Sequence, residues 1–447
     1  MKSIAKALII FLVLLSTSLS VSAQKIAEDI EALVAQAREK ADNGDYAGAI
    51  EDFTRVIELE PEMAEAYASR AMAHMENTPS FAEDTKSGSA EEYYESLEQN
   101  WALVLADYDR AIELEPENVE YVHDRGYARI SAGDLEGALA DFDRAMVLAP
   151  DDASYVADRG YAKYFMDEEQ AAIEDYTTAI GMEPENPEYY SKRANAREYV
   201  EDYDGAIADY TKALEFEPEN AWYYTERASA RNYLDDYDGA VADYSKAIAL
   251  DPEDGQNYYF RATTHIYLDD YDRAMKDYAK AIELGLEDPW LFNERGDAKY
   301  YKEDYRGAVD DYTKAIELEP GESLYYLNRA VAHEELKDWK GAIAEYTKMI
   351  ELDPEDSVAY IGRSVAKGES GDTKGAVADA LRAGMIESGG SAEIPRSVII
   401  GGIVVLVVAF VLLVLFIALL VYLSRRGSKR VQSAGGPPEL PPQLPRG

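Results

Sequence analysis

The sequence predicts an all-α solenoid of stacked antiparallel helix pairs, about ten units long, with one transmembrane helix near the C-terminus. Three observations carry this. The first is a period: Pro184, Pro218 and Pro252 are 34 residues apart, as are Arg193, Arg227 and Arg261, and Ala206, Ala240 and Ala274. A fixed period of this size marks a repeat array, in which one unit cannot bury its apolar face alone and neighbours close a common core. The second is the pattern inside each period, which reads helix, turn, helix. The third is an uncharged run of 26 residues, Val398 to Leu423, long enough to span a bilayer.

Within the unit Ala221 to Asp254, Tyr224, Arg227, Ala228 and Arg231 recur at helical steps. Asp235 and Asp236 interrupt. Ala240, Tyr244 and Ala247 then share one face of a second helix, and Pro252 ends the unit because proline cannot continue a helix interior. This resembles the tetratricopeptide repeat. The resemblance rests on a small residue at the eighth position (Ala228), alanine at the twentieth (Ala240), an aromatic at the twenty-fourth (Tyr244), alanine at the twenty-seventh (Ala247) and proline at the thirty-second (Pro252). Two positions depart from the family: arginine replaces its usual leucine at the seventh (Arg227) and its usual tyrosine at the eleventh (Arg231).

The chain has 447 residues, a formal charge of -43 and no cysteine, which excludes disulfides and cysteine-ligated metal. Met1 to Ala23 reads as a signal peptide, with Lys2 and Lys6 ahead of a short apolar run and Val21-Ser22-Ala23 as the cleavage site. The repeats occupy 30–387. The first unit is Ile30 to Met63. Pro61 to Pro116 is then 55 residues, one period plus an insertion at about 77–99, where Glu91 to Glu98 lengthens the next helix backwards. The register is regular from Pro116 to Pro354, with Leu286 standing once in place of proline, and the last unit begins near Ser357. A short linker, 388–397, leads to the apolar run at 398–423, and a basic, proline-rich tail, 424–447, closes the chain. Arg425, Arg426, Lys429 and Arg430 follow the apolar run, against Arg396 before it. By the positive-inside rule the tail is cytoplasmic and the repeat domain extracytoplasmic, periplasmic or extracellular.

Nothing in the sequence has the form of a catalytic, cofactor or metal site. The four histidines form no helical metal pair, there is no phosphate-binding glycine loop, and Asp235-Asp236-Tyr237-Asp238-Gly239 lacks the ligand spacing of a calcium loop. His74, His265 and His333 instead share a repeat position with Arg129, Lys163, Arg197, Arg231 and Lys299, a basic column. A second column runs through Arg70, Arg125, Arg159, Arg193, Arg227, Arg261, Arg295, Arg329 and Arg363, and each has an acid in its own unit, Asp243 for Arg227. Two readings follow: a structural charge ladder, or a basic stripe for an anionic ligand. The first unit breaks the pattern, with Asp52 but Gln36 in the arginine position.

The acidic balance argues against nucleic acid as a partner. The resemblance implies that the first helices line a concave groove, which here would hold Tyr199, Trp222, Tyr233, Tyr259, Tyr267, Trp290, Tyr300 and Tyr301. Aromatics supply contact area and a polar handle for a protein or peptide partner, although the same rings could serve only helix packing. The sequence therefore points to a non-enzymatic, membrane-anchored scaffold binding a protein or peptide outside the cytoplasm. A spacer in the cell envelope and an accessory subunit of an envelope enzyme are the alternatives.

Overall fold

The computed structural model describes residue 25 and residues 27–78 and 90–387. Among these, twenty helices fall into two compact lobes, divided between Phe216 and Glu217. The first lobe pairs α1 (27–42) with α2 (Tyr46–Leu59), α3 (Ala64–Glu76) with α4 (Ala90–Leu114), α5 (Val119–Ala132) with α6 (Leu135–Leu148), α7 (Ala153–Phe165) with α8 (Glu169–Met182), and α9 (Pro187–Tyr199) with α10 (Tyr203–Phe216). The second pairs α11 (Ala221–Tyr233) with α12 (Tyr237–Leu250), α13 (Gly255–Tyr267) with α14 (Tyr271–Glu283), α15 (Pro289–Tyr301) with α16 (Tyr305–Leu318), α17 (Ser323–Glu335) with α18 (Trp339–Leu352), and α19 (Ser357–Glu369) with α20 (Thr373–Glu387). Each lobe is a stack of five such pairs, so the 34-residue period is one helix pair.

Outside the α3–α4 pair, the turns inside the pairs are built the same way. One residue takes the left-handed conformation: Gly133, Asp167, Glu201, Asp235, Asp269, Glu303, Lys337 and Gly371 all do. The next residue caps the second helix. The carboxylates of Asp134, Asp236, Asp304 and Asp338 each accept the backbone N–H three residues on, at 3.0–3.1 Å, satisfying a helix donor that has no partner within the helix. The first helices are capped likewise by Asn118, Asp152, Asn186, Asn220, Asp254, Asp288 and Asp356.

Small residues and one aromatic make the core. Ala228, Ala240 and Tyr244 are buried together with Phe260 against them; two units on, Ala308 and Tyr312 are buried with Ala332 of the following pair. The eighth position sets how closely the two helices of a pair approach. At Gly296 a Cβ would lie 2.6 Å from Cε1 of Tyr312, so this ring has advanced into space that alanine fills in other units. Gly296→Ala is therefore expected to destabilise the second lobe by about 1–3 kcal/mol through overpacking. An unchanged melting temperature would mean that the Tyr312 ring turns aside freely.

The insertion lengthens α4 to 25 residues, against 14 for α6 or α12. One expectation is corrected. The transmembrane helix placed at 398–423 lies outside the described residues, as does the signal peptide at 1–23. No helix among the described residues is long and apolar enough to cross a membrane. The physical reason is charge. Even α4, the longest, carries Glu92, Glu95, Glu98, Asp107, Asp109, Arg110 and Glu113, and a charged side chain at mid-bilayer is costly. The described fold is an all-α repeat stack without a membrane span, and the extracytoplasmic placement built on that span is withdrawn with it.

Candidate protein-binding face

The charge columns meet along the seam between the two helices of each pair. Arg227 donates from Nε to Oδ2 of Asp243 and from Nη2 to Oδ1, both at 2.8 Å. The same forked bond joins Arg125 to Asp141, Arg159 to Asp175, Arg193 to Asp209, Arg261 to Asp277, Arg295 to Asp311 and Arg363 to Asp379. Arg70 reaches Asp107 across the insertion in the same fashion. The other basic column serves the same acids. Arg231 Nη1 donates to Oδ2 of Asp243 at 2.5 Å and to the carbonyl of Gly239, while Lys163, Lys299 and Lys367 bridge Asp175, Asp311 and Asp379. Each of these buried carboxylates thus gathers two cations. The first unit follows the same chemistry: Gln36 donates its amide to Asp52 at 3.0 Å and Lys40 supplies the charge. Arginine forks onto a carboxylate are among the stronger hydrogen bonds in proteins. The columns form a ladder inside the fold, and these arginines do not make an open basic stripe.

The aromatics fall into two rows, a core residue and Tyr300 apart from both. Trp222 and Trp290 stand at the N-terminal ends of α11 and α15, 37% and 41% exposed, each edge-on to one tyrosine, Tyr223 and Tyr325 respectively. Tyr233, Tyr267 and Tyr301 stand at the C-terminal ends of α11, α13 and α15. At about 1.5 Å of rise per residue, some 16 Å of helix separates the rows, so they are not one site. Tyr300 is partly buried beside Tyr305. Tyr199 is exposed on the first lobe, edge-on to Tyr164. Tyr259 is core, 8% exposed among Ala262, Tyr278 and Leu291; its position in the helix is the same as that of Thr225, but its ring reaches beneath the next pair.

Two features of this face had no counterpart in the sequence reading. The first is stacking between units: Tyr237 lies on Tyr267 with centroids 5.1 Å apart, and Tyr271 on Tyr301 at 5.2 Å. The column Tyr203, Tyr237, Tyr271 and Tyr305, one period apart, was the signal available for it. The second is half-buried carboxyl groups hydrogen-bonded to neutral donors. Glu294 accepts hydrogen bonds from Thr263 at 2.9 Å and Tyr278 at 3.0 Å; burial pushes it up to about 7 against these bonds. Burial likewise lifts Glu226 to about 7, opposed by its bond to Trp222, and Glu334 to about 7, opposed by Tyr346. In the first lobe burial opposes the charge on His123, but bonds to Asp124 and Asp158 outweigh it and raise the ring to about 9. No group of acids, histidines or cysteines among the described residues is placed to hold a metal ion.

Models of the tetratricopeptide repeat match residues 34–102, 99–153, 191–255 and 293–357, and a second model of the same repeat matches 255–284. Together the four matches of the first model span more than half of the chain. No curated protein matches. Among solved structures, the chain is similar to YrrB, described as a TPR protein with an unusual peptide-binding site, at 22% identity over 40% of this chain and 92% of that one, with a TM-score of 0.37. It is also similar to the C-terminal part of a TPR repeat-containing protein from Cytophaga hutchinsonii, at 20% identity over 52% and 95%, with a TM-score of 0.47. A third similar structure is a tetratricopeptide repeat protein from Parabacteroides merdae, at 19% identity over 56% and 96%, with a TM-score of 0.42.

Proposed function

The chain belongs to the tetratricopeptide repeat family, and from that premise we propose that it is a binding scaffold whose second lobe holds a segment of another protein against its first helices. Members of this family are in general non-enzymatic interaction scaffolds. The strong ion pairs are spent within the fold, and the surface of the first helices offers aromatic contact area. The observation that carries the proposal is the pair Trp222 and Trp290, large rings left more than a third exposed at the same helix position two units apart. A segment touching both would run along the stack. Tryptophan is enriched among the residues that dominate binding energy, and removing one commonly costs at least about 2 kcal/mol of binding. That is roughly a thirtyfold loss of affinity.

The experiment is capture of partners from host lysate on the purified full-length chain, followed by titration of the captured protein against Trp222→Ala and Trp290→Ala. Weakened binding by both variants, with circular dichroism unchanged, is the expected result. Unchanged affinity would return the two rings to packing alone. Capture of no protein would favour a spacer and remove the scaffold reading.

A further inference from the structure

The turn side of the second lobe presents a different surface. Tyr233, Tyr267 and Tyr301 close the first helices there, and Tyr237, Tyr271 and Tyr305 open the second ones. Two stacked pairs, Tyr237 on Tyr267 and Tyr271 on Tyr301, tie successive units into one strip of rings. Leu234 and Leu268 extend it, 42% and 38% exposed. Contiguous exposed apolar surface of this kind marks a contact site.

Carboxylates border the strip. The three seven-residue turns, Tyr233 to Gly239, Tyr267 to Arg273 and Tyr301 to Gly307, carry eight acids against Arg273, Lys302 and Arg306. Asp235 accepts the hydroxyl of Tyr237 at 2.6 Å and Asp269 that of Tyr271 at 3.1 Å, so carboxylates are held at the ring edges. Lys302 already bridges to Asp272, beside the Tyr271–Tyr301 stack. At the preceding step the residue equivalent to Lys302 is Leu268, and Asp238, equivalent to Asp272, is exposed. The chain thus places cations of its own on some of these acids, Arg273 on Asp270 and Arg231 on Asp236 as well as Lys302 on Asp272, while Asp235 and Asp269 bond tyrosine hydroxyls. Ring faces and carboxylates together favour ammonium and guanidinium groups.

We propose that this tyrosine–aspartate rim binds an extended protein segment carrying lysine or arginine at regular intervals. The proposal rests on the scaffold reading above and names the class of partner. Neighbouring helices pack about 8–10 Å apart. An extended chain advances about 3.3 Å per residue. Successive turns are one helix pair apart, so basic side chains spaced every few residues along an extended segment would meet them.

The test uses the full-length protein and a fluorescein-labelled synthetic peptide of about 12 residues with lysine at every third position, beside its glutamate counterpart. The disabling variant is Asp235→Lys with Asp269→Lys. Lysine fits the left-handed backbone there, because Lys337 occupies the same turn position at φ 59°. The control is Glu219→Lys with Glu253→Lys, an equal charge change at exposed positions before the first helices. The lysine peptide should bind, the rim variant should lose at least about tenfold in affinity, and the control should lose less than about threefold. Equal losses in both variants would mean general attraction to an acidic protein and would overturn the proposal, as would equal binding of the glutamate peptide. A captured partner that responds to Trp222→Ala and not to the rim variant would sink the rim and leave the scaffold standing.

Discussion

Asp243→Ala is expected to lower the unfolding free energy of the second lobe by on the order of 3–5 kcal/mol, more than Arg227→Ala does. Asp243 is almost fully buried, and it bonds both Arg227 and Arg231 across the α11–α12 seam. Removing it takes the shared carboxylate from two guanidinium groups whose side chains are 13% and 23% exposed, leaving Arg231 with Asp236 at 3.5 Å and the Gly239 carbonyl. Removing Arg227 leaves Asp243 with Arg231 still in place, and the carboxylate keeps a counterion. Residual exposure of the guanidinium groups pulls both effects toward the lower end. Urea unfolding of the two single variants and the double variant closes a cycle that reads the coupling between the partners. A coupling of several kcal/mol belongs to a ladder. Additive losses would mean that the forked bond contributes nothing to stability and would reopen the anion reading for the column.

The ladder was legible because repetition places each arginine at a fixed step before its acid. Even Arg70 and Asp107, separated by the insertion, kept register once the extra residues were set aside. Gln36 read as an exception because sequence matching looked for charge; the seam needs a donor to Asp52, and an amide with Lys40 nearby supplies it. What sequence could not resolve was depth. Tyr259 and Trp222 are both aromatics of first helices, but one lies under the next pair and the other at a helix end, and only the stack distinguishes them. The ring pairs Tyr237–Tyr267 and Tyr271–Tyr301 join residues of different units, so no helix periodicity announces them. In a chain with 87 acidic residues, composition gives no sign that Glu226 and Glu294, two periods apart at one helix position, are half-buried and raised. The apolar run at 398–423 was the plainest feature of the sequence, and the membrane reading drawn from it finds no support in the described helices.

Because of these half-buried glutamates, the second lobe should become more stable as the pH falls from about 8 to about 6. Glu226, Glu294 and Glu334 each rise from 4.5 to about 7 on folding. A raised carboxyl binds its proton more tightly in the folded chain than in the unfolded one. Between about pH 4.5 and about pH 7 the folded state therefore holds more protons, and stability must fall as pH rises through that window. The shift corresponds to at most about 3 kcal/mol per group, of which on the order of 1 kcal/mol appears between about pH 8 and about pH 6. At Glu294 desolvation sets the sign: the hydroxyls of Thr263, Tyr278 and Tyr259 pull the carboxyl down, Asp297 pushes it up, and burial outweighs the hydroxyls. His123 acts in the same direction in the first lobe, since a ring raised to about 9 contributes stability that is lost as pH rises through that value. Glu294→Gln keeps an acceptor for the hydroxyls and removes the titration. Its melting temperature should change less with pH than that of the parent, and it should exceed the parent's most clearly near pH 8, where the parent carries a buried charge. Parallel pH profiles for the two proteins would show that Glu294 does not carry the effect, and a parent chain that loses stability on going from about pH 8 to about pH 6 would reverse its sign.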